Sequence, residues 1–143
     1  MELLPLKLIF KPNLRFTDDE FFQFCQDNPD SAFERDAQGN IILMASTGSN
    51  TSHHKSKITL EVGIWNKQKQ LGLTFDSSGG FTLPNGAVRS PDVAFVFSER
   101  WQALTPAQRE KFAHICPDFV IELRSPSDTL PNLQAKMIEW IAN

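Results

Sequence analysis

The stretch RSPDVAFVF, residues 89–97, places an acidic side chain directly before a run of apolar residues, and it decides the fold class. Val93–Phe97 are β-branched, aromatic or small residues, as in a buried strand. A second such run, FVIEL at residues 119–123, carries Glu122 and follows Asp92 after an interval of 30 residues. Helical patterns lie before, between and after these runs. The sequence therefore predicts an α/β fold with a mixed β-sheet flanked by helices.

Local signals place further elements around these two strands. Thr17 and Glu20 have the spacing of a capping box, which predicts an N-terminal helix that begins there. The turn sequence at residues 38–40, Gln-Gly-Asn, lies between two apolar runs and predicts a hairpin. Three further helices are predicted, one after the polar cluster 46–52, a short one from Thr105, and one from Pro131 to the end.

Length and charge limit the possible functions. The 143 residues carry 14 basic and 17 acidic side chains, a net charge of −3, and are 41% apolar. A chain of this length predicts one domain, residues 1–143, with a core of ordinary size. A disordered chain and a membrane span are both excluded by the composition. A pI near 5.6 is well below that of a dedicated DNA-binding domain, so contact with phosphate requires local positive charge or a bound cation.

The thiols and the N-terminus indicate a cellular compartment. Cys25 and Cys116 lie far apart without metal-ligand spacing, so we expect small core residues in a reducing, cytoplasmic environment. The first ten residues, MELLPLKLIF, weakly resemble a secretory signal. Glu2 and Pro5 interrupt them and no cleavage site follows, so we expect no signal.

Asp92 and Glu122 are costly residues for buried strands unless they are paired, protonated or bound to a cation. Strand alternation puts Glu122 and Arg124 on one face, and Asp92 joins them if the two strands are neighbours. Two interpretations are open at this point, a structural Glu122–Arg124 ion pair and a catalytic site. The layout Pro91-Asp92 followed by Glu122-Leu123-Arg124 favours the second, because it is that of a PD…(D/E)-x-K site with arginine in the lysine position.

The chemistry of such a site requires two hard oxygen ligands beside a cationic group. Mg²⁺ prefers carboxylates together with waters and a substrate phosphate. It lowers the pKa of a bound water and neutralises charge on a phosphodiester.

Longer motifs extend the pattern from Phe16 to Asn143. They are ER at 34–35, GNIILM at 39–44, TGS at 47–49, DSSGGFTLPNG at 76–86, RSPDVA at 89–94, CPDFVIELRSPSD at 116–128 and QAKM at 134–137. Together they resemble the Uma-type endonucleases of the restriction-endonuclease-like superfamily. The resemblance implies a restriction-endonuclease-like core and a Mg²⁺-dependent phosphodiesterase site.

Carried over by position, the resemblance makes Asp92 and Glu122 the metal ligands and puts Arg124 where the superfamily usually has lysine. A guanidinium stays protonated near neutral pH and cannot serve as a general base, but it can hold a phosphate. Lys136 is a candidate substitute for the lysine, because it flanks the apolar side of the last helix and its long side chain can turn toward Glu122. The alternative is an edge lysine that pairs with solvent or with Glu139.

Four further residues have chemistry that suits such a site, and a fifth matches the family by position only. Glu61 flanks the apolar side of the second helix and is either a third metal ligand or a solvated side chain. His53, His54 and Lys55 begin that helix and form either a nucleic-acid contact or a solvated first turn. Glu34 matches a family position, but its chemistry assigns it no role.

These observations predict a DNA endonuclease that depends on Mg²⁺ or Mn²⁺ and hydrolyses phosphodiester bonds. Two alternatives stay open, namely a catalytically impaired nucleic-acid-binding or protein-interaction module with the same fold, and an ion-paired core without a ligand. Chains of the family usually continue beyond the last helix into further strands. Without these C-terminal strands a sheet edge would be open, so we expect a homodimer that covers it.

Overall fold

A computed structural model describes residues 6–143, so the first five residues of the stretch considered as a signal lie outside it. Within the described part the strands are β1 (Leu6–Leu8), β2 (Phe33–Arg35), β3 (Ile41–Leu43), β4 (Gly72–Phe75), β5 (Phe81–Thr82), β6 (Val88–Arg89), β7 (Val93–Phe97) and β8 (Phe119–Ile121). The helices are α1 (Asp18–Asp27), α2 (Ser49–Lys69), α3 (Ser98–Gln102), α4 (Pro106–Glu110) and α5 (Leu130–Ala142), and a 3-10 turn spans Pro12–Leu14.

The local start and stop signals act as predicted. The Thr17 hydroxyl accepts the Glu20 backbone N–H, and the Glu20 carboxylate accepts the Thr17 backbone N–H, so the capping box of α1 is complete. Gly39 has a φ of +83° in the β2–β3 turn, a conformation that glycine adopts without steric cost. Helix α2 ends at Lys69 and is capped by Gln70, whose φ of 53° is left-handed.

The strands form two sheets, one of order β1-β3-β2-β6-β5 and one of order β4-β7-β8. The α/β class with flanking helices is confirmed. The structure has two sheets where one mixed sheet was expected. The ladders within residues 6–143 are antiparallel, and the parallel component there is an isolated bridge between Phe81 and Ala113. Strand β4 approaches β7 closely at Gly72, where a Cβ atom would lie 2.0 Å from the Val96 carbonyl oxygen.

Two apolar clusters hold the elements together. The larger includes Phe81, Val96 and Trp140, so it joins β5 and β7 to α5, and the smaller includes Phe21 and Val88. Trp140 is thereby buried on the inner side of α5. Among residues 6–143, no helix has both the length and the apolar character that crossing a bilayer requires.

Candidate functional site

The register of β7 and β8 brings the two predicted carboxylates together. Val93 and Ile121 form the last pair of an antiparallel ladder, so Asp92 and Glu122 are the next residues of the two segments, just beyond the paired ones. The two carboxylates therefore lie at the same end of the β7–β8 ladder. Asp92 Oδ2 also accepts the Leu123 backbone N–H at 2.6 Å, which fixes its carboxylate against the end of β8. The sequence could bring Asp92 to Glu122 only if their strands were neighbours, and β7 and β8 are paired.

Glu122 is held from helix α5. Its Oε1 accepts the indole N–H of Trp140 at 2.9 Å and lies 3.0 Å from the ammonium of Lys136. Lys136 and Trp140 are four residues apart, so both face the same carboxylate. Burial raises the pKa of Glu122, and repulsion from Glu34 adds to this, while Lys136 and Trp140 offset only part of it.

Glu34 is the most buried carboxylate of the site, with 2% of its surface exposed. It lies on β2 and accepts from Lys136 Nζ at 2.9 Å, from Arg89 Nη1 at 3.1 Å and from the Ser90 backbone N–H at 2.9 Å. Burial alone would raise the pKa of Glu34, but these cations and the backbone donor hold it below its ordinary value. Because Lys136 contacts both Glu34 and Glu122, one ammonium connects the two sheets.

Asp92 has a cation of its own. Lys55 of α2 places its Nζ 2.7 Å from Asp92 Oδ1, and the Asp92 residue is 8% exposed. Lys55 points inward together with Ile58 and Val62, which follow it by three and seven residues on the same helix face. The lysine that was predicted to contact nucleic acid thus lies against a predicted metal ligand in this structure, and its contact with nucleic acid stays a prediction.

The balance of charge leaves room for a cation. Arg89 also binds Glu139, at 2.5 Å, so Glu34, Glu122 and Glu139 are connected through Arg89 and Lys136, and Asp92 with Lys55 forms a separate pair beside them. Three cations, Lys55, Arg89 and Lys136, face them, which leaves one negative charge in excess.

The donor set fits a hard divalent metal. Asp92 and Glu122 offer carboxylate oxygens. Within residues 6–143 no group of three or more His, Cys, Asp or Glu side chains is arranged to hold a metal, so the protein would supply two ligands. Mg²⁺ accepts two carboxylates when waters and a substrate phosphate complete its coordination. Neither of the two ligands is a thiolate or an imidazole, which softer metals prefer.

Several predicted site residues lie elsewhere. Glu61 is exposed on α2 and joins no such group with Asp92 and Glu122, so its assignment as a third metal ligand is corrected. It falls one residue out of the inward-facing row of α2, which is enough to turn it to solvent. His53 and His54 are exposed, with ring centroids 5.9 Å apart.

Arg124 is exposed beyond the end of β8, and no ion pair or hydrogen bond of its side chain occurs among residues 6–143. The structural Glu122–Arg124 pair is therefore wrong, because the strand ends at Ile121 and the alternation that would align the two residues ends with it. Lys136 takes the place beside Glu122, as one of its two interpretations predicted, and Glu139 pairs with Arg89 instead.

Three residues that contribute to the site were assigned no function from the sequence. Glu34 had only its family position, Arg89 was read as part of a motif, and Trp140 as an apolar residue. One signal was present for Trp140, since it follows Lys136 by one helical turn and an indole needs a partner for its N–H when it is buried.

Comparison with known proteins defines the class. A family model described as Uma2, "Putative restriction endonuclease", matches residues 18–143, and the chain belongs to this family. The predicted resemblance is thereby confirmed, and the chain is of the nuclease class that the family describes. No curated protein shows significant similarity to it.

The fold is shared with a solved structure described as a "putative nuclease belonging to DUF820 from Anabaena variabilis ATCC 29413". The two are 20% identical, with a TM-score of 0.68 over 90% of this chain and 69% of the other. At this identity the likeness concerns the fold alone.

Proposed function

We propose that this chain is a DNA endonuclease that depends on Mg²⁺ or Mn²⁺, with Asp92 and Glu122 as its metal ligands. The observation that carries the proposal is the position of these two carboxylates at one end of the β7–β8 ladder, where Asp92 accepts the Leu123 backbone N–H, in a site with one excess negative charge. Family membership supports the reaction class, and the hard oxygen donors support the choice of metal.

The residues around the ligands have distinct tasks in this proposal. Trp140 fixes one oxygen of Glu122 through its N–H, which orients the carboxylate. Lys136, held by Glu34, brings a positive charge to the place where the phosphate charge develops in the transition state. Divalent metal in such a site supplies an activated water and neutralises the phosphodiester. Arg124, exposed beside the site, holds a phosphate oxygen, as do His53 and His54 at the beginning of α2.

The experiment is plasmid nicking by the purified protein in Mg²⁺ or Mn²⁺, compared with Glu122→Gln and Asp92→Asn. Wild-type protein nicks supercoiled plasmid, and each variant is slower by about a hundredfold or more, since even groups that merely orient a metal ligand are worth 10–100-fold. Glu110→Gln is the matched control, because Glu110 is an exposed glutamate at the end of α4. Nicking that persists in Glu122→Gln contradicts the proposal.

A second candidate function is supported by Arg124. If the cation at this position of the PD…(D/E)-x-K layout is essential, its replacement by arginine leaves a module that binds nucleic acid without cutting it. This candidate predicts that wild-type protein binds DNA in the presence of metal but produces no nicks. The homodimer and the cytoplasmic location also stay predictions, and sedimentation velocity tests the first.

A further inference from the structure

The Lys55 ammonium lies at the position on Asp92 where a metal ion is proposed to bind. Asp92 Oδ2 is engaged by the Leu123 N–H, and Lys55 Nζ is 2.7 Å from the other oxygen, Oδ1. A divalent cation bound at Oδ1 would lie next to the ammonium, and two cations at such distances repel each other strongly in a half-buried site. Metal and Lys55 therefore compete for one oxygen.

The same lysine also borders a polar groove. The groove, of about 520 Å³, lies between α2 and the loop after β4, and its wall carries hydroxyl groups from Ser52, Ser56, Thr59 and Ser77. Hydroxyl and ammonium groups are common donors to the phosphate backbone of nucleic acids. Asp76, the acidic residue of the wall, binds Ser78 within its own turn.

We propose that Lys55 changes partners, from Asp92 in the absence of metal to a backbone phosphate of nucleic acid in this groove when metal is bound. The inference rests on the proposed function and adds a binding site for the substrate strand together with its dependence on metal. A lysine suits this exchange, because its ammonium is a compact charge with three donors on a flexible four-carbon chain. Since the coupling of two ligands is reciprocal, nucleic acid that holds Lys55 also strengthens metal binding.

The first test measures metal affinity without nucleic acid. Lys55→Met is compared with Lys57→Met, which removes the same charge from an exposed lysine on the same helix, and both substitutions keep good helix formers. Each protein is labelled with 5-fluorotryptophan. Mg²⁺ is then added without nucleic acid, and the ¹⁹F resonance of Trp140 is followed. This indole donates to Glu122 and reports on the site, whereas Trp65 and Trp101 serve as references.

Lys55→Met is expected to bind Mg²⁺ roughly threefold to tenfold more tightly than wild type, which corresponds to the removal of a competing ion pair. Lys57→Met stays within about twofold of wild type, as surface charge alone predicts. An unchanged or weaker affinity in Lys55→Met overturns the inference while leaving the proposed function intact. A wild-type protein that does not respond to Mg²⁺ overturns the proposed function, and the inference with it.

The second test measures DNA binding without metal, by fluorescence anisotropy of a short labelled duplex in EDTA. Asp92→Asn frees Lys55 and is expected to bind roughly fivefold more tightly than wild type, a free-energy gain of about 1 kcal/mol. Glu122→Gln removes a negative charge from the same site but leaves the Lys55 pair in place, so it gains less than about twofold. The double variant Asp92→Asn/Lys55→Met loses the gain, as a double-mutant cycle requires.

Two results overturn the exchange in this second test. One is an equal gain in Asp92→Asn and Glu122→Gln, which would make the effect one of net charge. The other is a gain that persists in the double variant, which would mean that the released lysine does not contact DNA. The DNA titration is then repeated with Ca²⁺ in place of EDTA, because Ca²⁺ is a hard cation that also takes oxygen ligands. If metal releases Lys55 from Asp92, wild type then binds DNA as tightly as Asp92→Asn.

Discussion

Glu34 on the five-stranded sheet and Glu122 beside the three-stranded sheet share the ammonium of Lys136, yet their surroundings differ. Glu34 has two cations and a backbone N–H, and its pKa lies below the ordinary value. Glu122 has one cation and an indole N–H, and its pKa lies above the ordinary value. Burial opposes ionisation in both, so the number of donors decides the sign.

This difference distinguishes a carboxylate that positions its neighbours from one that is able to bind a ligand. A carboxylate whose oxygens are all engaged by cations and a backbone donor positions its neighbours and has little capacity left for a ligand. A carboxylate with fewer donors, at the same end of the ladder as Asp92, keeps capacity for one. Glu34 therefore anchors Lys136, and Glu122 is the residue that we expect to respond to a bound ion.

The largest effect is expected for Glu34→Gln. The substitution keeps the shape of the side chain but leaves Arg89 and Lys136 without their shared, buried counter-charge, and breaking a buried pair in this way costs about 3–5 kcal/mol. Thermal unfolding followed by circular dichroism is expected to show a midpoint lower by roughly 10 °C.

Glu122→Gln is the matched comparison, because it replaces the other carboxylate that contacts the same lysine. It removes a charge that its surroundings disfavour, so we expect little loss of stability despite the loss of nicking. Equal destabilisation by the two variants would refute the division into anchor and ligand.

The dependence of stability on pH is expected to have opposite signs for the two residues. The pKa of folded Glu34 is below its ordinary value of 4.5, so its contribution is complete above about pH 4.5 and is lost as the pH falls through the lower folded value. The pKa of folded Glu122 is above 4.5, so its ionisation costs stability above that pH, and the cost disappears on acidification.

Urea denaturation at several pH values tests this prediction. Relative to wild type, the deficit of Glu34→Gln shrinks as the pH falls below 4.5, whereas any advantage of Glu122→Gln shrinks between neutral pH and 4.5. Two variants whose differences from wild type change in the same direction would contradict the assignment.

Much of the fold could be predicted because its signals are local. The capping box at Thr17, the Gly39 turn and the apolar run of β7 each lie within a few residues. Strands β1 and β6, of three and two residues, and the five-residue helix α3 were missed, because elements so short show no periodicity. Their positions depend on partners far along the chain.

The site divides in the same way. Asp92 and Glu122 could be selected as candidates because a carboxylate beside a buried strand is conspicuous and because strand alternation has an exact period of two. Glu34 was left without a role, since its partners Arg89 and Lys136 lie in other elements and only the tertiary fold brings them together. Glu61 was wrong because a rotation of one residue on a helix changes an inward side chain to a solvated one.

Arg124 gives the smallest expected effect, and it tests how far the cationic function has moved from the strand to α5. Its side chain is exposed, so Arg124→Met changes the unfolding free energy by less than about 0.5 kcal/mol. If the guanidinium contacts a phosphate, the variant binds DNA more weakly, and the slope of log K against log salt becomes shallower by about 0.9. Lys11→Met, at an exposed lysine outside the site, controls for net charge. A slope equal to that of wild type would leave Lys136 as the cation that replaces the superfamily lysine and would remove Arg124 from the site.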